Sequence, residues 1–241
     1  MCIILMKQRC IIEWLQIELK LMCLCLVRKR VERISIGVCC NASGNDKLKL
    51  LLISKFKRPR CFGKVFAPIN IVHYYNIGNA WMTTIIFEDW LKKWNAKLKL
   101  QNRCILLLVD NASSHNTDLT FSNIRILFLP PNTTSILQPC DAGIIRSFKC
   151  HYKNKLVQQM LKNIENKMEL YTPSLKDAIF LCRDSWSCVT GETIKYCWLN
   201  VQILLISTPT PFLRVNFERN EDICQDLKDK IEKFHKQVTK I

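Results

Sequence analysis

An α/β fold, with a central sheet covered by helices, is what this sequence predicts, and three observations predict it. Cys104-Ile105-Leu106-Leu107-Leu108-Val109 is an unbroken apolar run of strand length. Such runs mark strands buried on both faces, as in a parallel or mixed sheet sandwiched between helices. Ile124 to Leu129 is a second such stretch, interrupted by Arg125, that ends at Pro130-Pro131, where a central strand cannot continue. Between and after these runs, apolar residues recur at helical spacing: Ile86, Phe87, Trp90, Leu91 and Trp94 in one segment, and Ile145 to Ile164 in another.

The elements follow in order. Residues 1–30 mix apolar and basic side chains without a clean period, so no element is assigned there. Ile34 to Cys40 reads as a strand rich in branched residues. Asn41-Ala42-Ser43-Gly44-Asn45-Asp46 supplies turn chemistry, and Leu48 to Ser54 a partner strand, which together predict a hairpin. Asn70 to Tyr75 offers a third strand. Thr83 or Thr84 caps the helix that carries Trp90 and Trp94. Ser174 to Cys188 forms a later helix, Gln202 to Phe217 a linker or frayed tail, and Glu221 to Val238 a final amphipathic helix through Ile223, Leu227, Ile231 and Phe234. Three segments result: 1–30 degenerate, 31–200 the folded domain, and 201–241 a linker with a C-terminal helical extension.

Composition narrows the partners. Hydrophobic residues make up 49% of the 241 and charged ones 23%, the balance of a folded chain rather than a disordered one. The formal net charge of +16 favours a polyanion, because each phosphate neutralised by Lys or Arg releases counterions. A membrane surface is the other common polyanion. Lys7, Arg9, Glu13, Glu18 and Lys20 interrupt the apolar N-terminus, and no stretch reaches the roughly 18 apolar residues that a spanning helix needs. The expectation is therefore no membrane. Fourteen cysteines without a secretory leader suggest a reducing compartment rather than a disulfide framework. Cys23-Leu24-Cys25 and Cys39-Cys40 lack the spacing of zinc ligands.

Two carboxylates stand out by position. Asp110 directly follows the buried run, in Val109-Asp110-Asn111-Ala112-Ser113-Ser114-His115. Asp141 follows a loop stiffened by Pro130, Pro131 and Pro139 and opens the long helix from Ile144. Either alone reads as a helix cap or a turn former. Thirty residues lie between them, and the strand within that interval returns the chain to the same sheet edge. Two aspartates held there suit Mg²⁺, which takes one or two carboxylates and keeps its other positions for water and phosphate oxygens. A pair of such ions activates the attacking oxygen and stabilises the leaving oxygen of a phosphodiester.

These motifs resemble the DDE nuclease domain of pogo/Tigger-type transposases, whose relatives include the jerky proteins and centromere protein B. Lys55-Phe56-Lys57-Arg58-Pro59-Arg60-Cys61-Phe62 looks like that family's Lys-x-Pro-Arg-Cys-Phe stretch. Trp81-Met82-Thr83, Phe87-Glu88-Asp89-Trp90-Leu91, Leu107-Leu108-Val109-Asp110-Asn111, Leu129-Pro130-Pro131-Asn132-Thr133-Thr134 and Gln138-Pro139-Cys140-Asp141-Ala142-Gly143 follow in the family's order. The resemblance covers about residues 31–200. It implies an RNase H-like mixed sheet flanked by helices, Mg²⁺ or Mn²⁺ chemistry on DNA, a nuclear protein, and Asp110 and Asp141 as the second and third catalytic, metal-binding carboxylates. Asn111 and His115 then orient Asp110 or a metal-bound water, or else form a turn and face solvent. Gln138 braces the proline loop or bonds backbone.

The family's first aspartate has no counterpart. Residues 1–30 hold no aspartate; Glu13, Glu18 and Glu32 lack the family's strand context, and Asp46 lies in a turn. Two aspartates without the bridging third should bind metal and cut DNA poorly, so an impaired nuclease is expected. Read one nucleotide earlier, a Leu5 codon ending in G followed by the Met6 codon spells Asp, then Glu, then a codon compatible with Thr. We take residues before about Arg28 as partly out-of-frame translation of a decayed transposon copy; a stop codon in the shifted frame would end that reading in favour of an unrelated exon. An active enzyme would have to recruit another carboxylate, such as Glu32 or Asp46. A host-adopted scaffold binding a protein partner, or itself, through 221–238 is the remaining alternative.

Basic clusters support DNA contact whatever the fate of catalysis. Lys55, Lys57, Arg58 and Arg60, with Phe56 and Phe62 among them, combine phosphate contacts with stacking groups. Arg146, Lys149 and Lys153, with Lys155 beyond, line the helix that leads away from Asp141. With nothing here resembling the helix-turn-helix modules of relatives, binding should be weakly selective and strongly salt-dependent.

Overall fold

The structure, a computed structural model, describes residues 8–18 (as backbone), 33–63, 68–130, 137–168 and 171–201, together with Gln225, Asp226, Lys228–Lys230 and Glu232. Six strands form one sheet: β1 (Gln8–Glu18), β2 (Arg33–Asn41), β3 (Leu51–Ser54), β4 (His73–Asn76), β5 (Ile105–Val109) and β6 (Ile124–Phe128). Their spatial order is β4-β3-β2-β1-β5-β6. Only β2 runs against the others: it pairs antiparallel with β1 and β3, while β3/β4, β1/β5 and β5/β6 are parallel. The mixed sheet expected from the buried runs is therefore present, and the predicted hairpin is β2–β3.

Among the described residues, four helices cover it: α1 (Thr84–Leu100), α2 (Ile145–Glu165), α3 (Leu175–Cys188) and α4 (Gly191–Asn200). Alternation along the strands divides the core into two layers. Ile34, Ile36 and Val38 of β2 join Leu52 and Leu108 in the layer beneath α2, α3 and α4, where Phe148, Ile179, Trp186 and Trp198 pack. Cys39 joins Leu51, Ile53, Leu107 and Val109 beneath Phe87, Trp90, Leu91 and Trp94 of α1. Cys39, Cys40, Cys140, Cys182 and Cys197 are buried and stand outside any disulfide, packing as apolar residues.

Local sequence accounts for the helix starts. Thr83 caps α1 by accepting from the Ile86 N–H, and Ser174 and Asp177 form a reciprocal capping box on α3. Lys47 closes the far end of α3: its Nζ donates to the carbonyls of Trp186 and Val189 at 2.9 and 2.7 Å, and it lies 5.3 Å from the Trp186 ring centre.

Three findings depart from the sequence reading. The stretch without assignable period contains β1, which occupies the middle of the sheet between β2 and β5. Backbone pairing inside the sheet, rather than an apolar rhythm of its own, defines this strand. Helix α4 was not foreseen, because Thr190 as its N-cap precedes a glycine that reads as loop. The third strand begins later than expected, at His73. Linker 202–217 lies outside the described residues. The C-terminal segment is helical at its described residues, and Asp226 and Lys230 hydrogen-bond Asn154 of α2. Among the described residues, no helix is long and apolar enough to cross a membrane.

Candidate nuclease-like site

Because β1, β3, β4, β5 and β6 run in the same direction, the segments that follow them emerge at one end of the sheet. In open α/β sheets this carboxyl end is where ligand-binding loops gather. The segment after β5 carries Asp110 to His115, and the segment after β3 carries Lys55 to Arg60. The segment after β4 leads through Trp81 into the N-terminus of α1.

Asp110 is held from two sides. Its Oδ1 accepts from the Ala112 N–H at 3.1 Å and lies 2.5 Å from His115 Nδ1. The short 3-10 turn Ser113–His115 folds the imidazole back under the strand end. There His115 is wholly buried, 4.9 Å from the ring centre of Phe87. Burial raises the Asp110 pKa, but the His115 hydrogen bond, the His115 charge and the Ala112 N–H together outweigh it and hold the carboxyl below its ordinary value. His115 is thus buried against Asp110 rather than facing solvent. Phe87, recognised in the sequence only as a core residue, supplies the wall that fixes the imidazole. Thr117, which donates to Glu88 at 2.8 Å, ties the rest of this loop to α1.

The Asn111 side chain makes its hydrogen bond to the proline loop's entry. Its Nδ2 donates to the Leu129 carbonyl, and the Leu129 N–H donates to the Val109 carbonyl at 2.8 Å. Asn111 thus fastens the entry of the proline loop to the end of β5.

Asp141 is exposed in a π-helical turn, Cys140–Ile144, whose Cys140, Gly143 and Ile144 are buried. Gly143 has φ 156°, a conformation that favours glycine and kinks the chain into α2. The turn packs on α4, α2 and β1. The two aspartates are thus carried by β5 and by a turn that rests on its neighbour in the sheet. Gln138 is 1% exposed, and its Oε1 and Nε2 have no hydrogen-bond partner, so neither expected role, a brace on the proline loop or a bond to backbone, is seen among the described residues.

Lys55, Lys57, Arg58 and Arg60 are all exposed, and the Tyr74 hydroxyl pins their loop by donating to the Phe56 carbonyl at 2.6 Å. Arg146, Lys149 and Lys153 are exposed on α2 at spacings of three and four, which puts them on one helix face.

Asp46 is not a substitute for a missing carboxylate. It pairs with Arg103 at 2.7 Å, just ahead of β5, at the end of the sheet opposite Asp110. Glu32 lies outside the described residues. Glu13 and Glu18, read as lacking strand context, both stand in β1 opposite Val38 and Arg33. No group of three or more His, Cys, Asp or Glu residues placed to hold a metal occurs among the described residues. The oxygen donors that Asp110 and Asp141 offer nonetheless suit a hard divalent cation.

A mixed α/β sheet with an oriented aspartate at its carboxyl end is a frame that many α/β proteins share. Comparison with known families makes the assignment specific. Residues 31–198 match the model of the DDE superfamily endonuclease family, and the chain belongs to that family. Among curated relatives, it is 35% identical over 164 residues to the Tigger transposable element-derived protein 4 of Mus musculus, covering 68% of this chain and 31% of that protein. It is 31% identical over 179 residues to CENP-B homolog protein 2 of Schizosaccharomyces pombe (69% and 34%), and 30% identical over 179 residues to the human Jerky protein homolog (69% and 30%). The chain spans about a third of the length of these relatives. No solved structure matches it.

Proposed function

We propose that this chain is a transposon-derived DNA-binding protein, acting in the nucleus, whose DDE domain is impaired as a nuclease. The observation that carries the proposal is that an exposed basic loop, Lys55 to Arg60, and the His115-oriented Asp110 leave the same end of one sheet. A strand order with a single antiparallel member next to the central strand supports an RNase H-like architecture within residues 31–200, and β1 extends that unit towards the N-terminus. Relatives named for a centromere protein and, in another S. pombe protein, for ARS binding support DNA as the partner.

Asp110 and Asp141 would hold Mg²⁺ or Mn²⁺, which when bound activates an attacking oxygen and stabilises the leaving one. The protein's own part is to fix the Asp110 carboxylate through His115 and Ala112, and to seat DNA against Lys55, Lys57, Arg58 and Arg60, with Arg146, Lys149 and Lys153 along α2. The impairment follows from the absence of an aspartate in the first strand. Mg²⁺-dependent nicking of supercoiled DNA tests it. No nicking above the Asp110→Ala and Asp141→Ala controls is expected, and nicking that disappears in both variants would reject the impairment.

One observation favours an active enzyme as the second reading. Partners in β1 and β5 differ by 97 in number, from Gln8↔Ile105 to Ile11↔Leu108. The same offset brings Glu13 level with Asp110 (13 + 97 = 110). If the register continues two residues beyond Ile11↔Leu108, Glu13 stands where a first carboxylate would be needed. Under this reading, Glu13→Gln abolishes nicking as completely as Asp110→Ala does; nicking by the wild type that survives Glu13→Gln would exclude it. A scaffold role for 221–238 finds less support, since Asp226 and Lys230 bind Asn154 of the same chain.

A further inference from the structure

Trp81 stands apart from the other tryptophans with described side chains. Trp90, Trp94, Trp186 and Trp198 are 0–8% exposed and lie in the two core layers, whereas Trp81 is 49% exposed. The backbone that presents it is unusual. Ala80, itself buried, has φ 56°, a left-handed conformation costly for any residue with a Cβ. Of the described non-glycine residues that share it, Asn102 belongs to a residue type that tolerates it, and Lys167 ends a helix. Ala80 is neither. It is locked by the Ser35 hydroxyl, which donates to its carbonyl at 2.6 Å, and by its own N–H, which donates to Ile77 at 2.8 Å. The Asn79 side chain then accepts from the Trp81 N–H at 3.1 Å. Backbone strain held in place by neighbours, directly before an exposed indole, is a feature that gathers at binding sites.

The surroundings indicate what the indole meets. Ser35 lies in β2 opposite Ile53, so Ala80 is anchored at the same sheet end from which Lys55, Phe56, Lys57 and Arg58 emerge. Phe56 is 40% exposed there. Two inter-strand steps, about 10 Å in all, separate β2 from β5 and Asp110. That is about three nucleotide steps along a strand. Exposed aromatic faces set among cationic side chains are the two components of single-stranded nucleic acid binding, where bases stack and phosphates pair.

We infer that Trp81 is a base-stacking residue and that the chain takes DNA carrying unpaired bases, as a single strand or an overhanging end, in preference to blunt duplex. A base inside intact duplex is already stacked on both faces and gains nothing from the indole. The inference rests on the DNA-binding reading above and names the substrate class for the same site.

The experiment is a fluorescence-anisotropy titration of the full chain with three labelled oligonucleotides of equal length: single-stranded, duplex with a 3′ overhang, and blunt duplex. Trp81→Ala should weaken the first two by about 5- to 100-fold and leave the blunt duplex within about 2-fold of the wild type. Trp81→Phe should recover most of the loss, because a smaller ring still stacks. Circular dichroism confirms that each variant is folded. Equal affinity of wild type and Trp81→Ala for all three oligonucleotides overturns the inference, as does a uniform loss across them. The joint Lys57→Ala, Arg58→Ala variant separates the two claims. It should weaken all three oligonucleotides, and a wild type that binds none of them overturns the DNA-binding reading itself.

Discussion

His115 Nδ1 lies 2.5 Å from Asp110 Oδ1, and the imidazole that makes this contact is entirely buried against the Phe87 ring. A carboxylate at the end of a strand would otherwise swing freely among rotamers. Here the buried His115 and the Ala112 N–H hold it in the observed orientation, which is what a preorganised site needs.

Phe87→Ala should destabilise the fold by about 3–5 kcal/mol, the usual cost of emptying an aromatic site in a packed core. Phe87→Leu should cost less than half of that. Chemical denaturation measures both, and a Phe87→Ala penalty under about 1 kcal/mol would show that α1 is not seated as described.

The pH dependence of stability follows from Asp110. Its folded pKa lies below the ordinary carboxylate value, so its contribution is fully present above the unfolded pKa near about 4. That contribution is lost as pH falls through the folded value. Asp110→Ala should therefore lower stability at neutral pH by about 1–3 kcal/mol and flatten the acid limb of the stability curve. Denaturation midpoints between neutral pH and the acid range check this; an unchanged acid limb would contradict it.

Lys47→Met keeps the apolar stem but removes the ammonium that Trp186, Ser187 and Val189 share at the end of α3. The carbonyls lose a charged donor, at a cost of about 1–3 kcal/mol. Urea unfolding of Lys47→Met gives the number, and a variant as stable as the wild type would remove this contact from the account.

The affinity for duplex DNA should fall steeply with salt. Each phosphate contact removed from the Lys55 to Arg60 loop should reduce the slope of log K against log salt by about 0.9. Titrations of Lys57→Ala and Arg58→Ala, singly and together, test this across a range of NaCl. Slopes identical to that of the wild type would mean that the loop does not meet phosphate.

Much of the frame was legible because short-range chemistry specifies it. Thr83 and Ser174 announce helix starts with their own hydroxyls, and the run Ile105–Val109 can hardly be anything but a buried strand. Asp110 and His115 could be picked out as neighbours, but which way the imidazole turned depended on Phe87, twenty-eight residues earlier (115 − 87 = 28). Strand β1 was illegible for a similar reason: Glu13, Gln16 and Glu18 break its apolar rhythm, and its place is set by β2 and β5. Asp46 could be dismissed as a catalytic partner only once the topology put it, with Arg103, at the wrong end of the sheet. Nothing in the sequence around Trp81 signals its exposure, because the left-handed conformation of Ala80 is set by Ser35, forty-five residues earlier.

The central claim is that Asp110 and Asp141 share one metal site at the carboxyl end of the sheet. Fe²⁺ with ascorbate and peroxide cleaves a backbone close to where the iron binds, and mass spectrometry locates the cuts. The account predicts paired cleavage near residues 110 and 141, suppressed at both places by either Asp110→Ala or Asp141→Ala and competed away by Mg²⁺ or Mn²⁺. Cleavage near one aspartate that persists when the other is removed would contradict it.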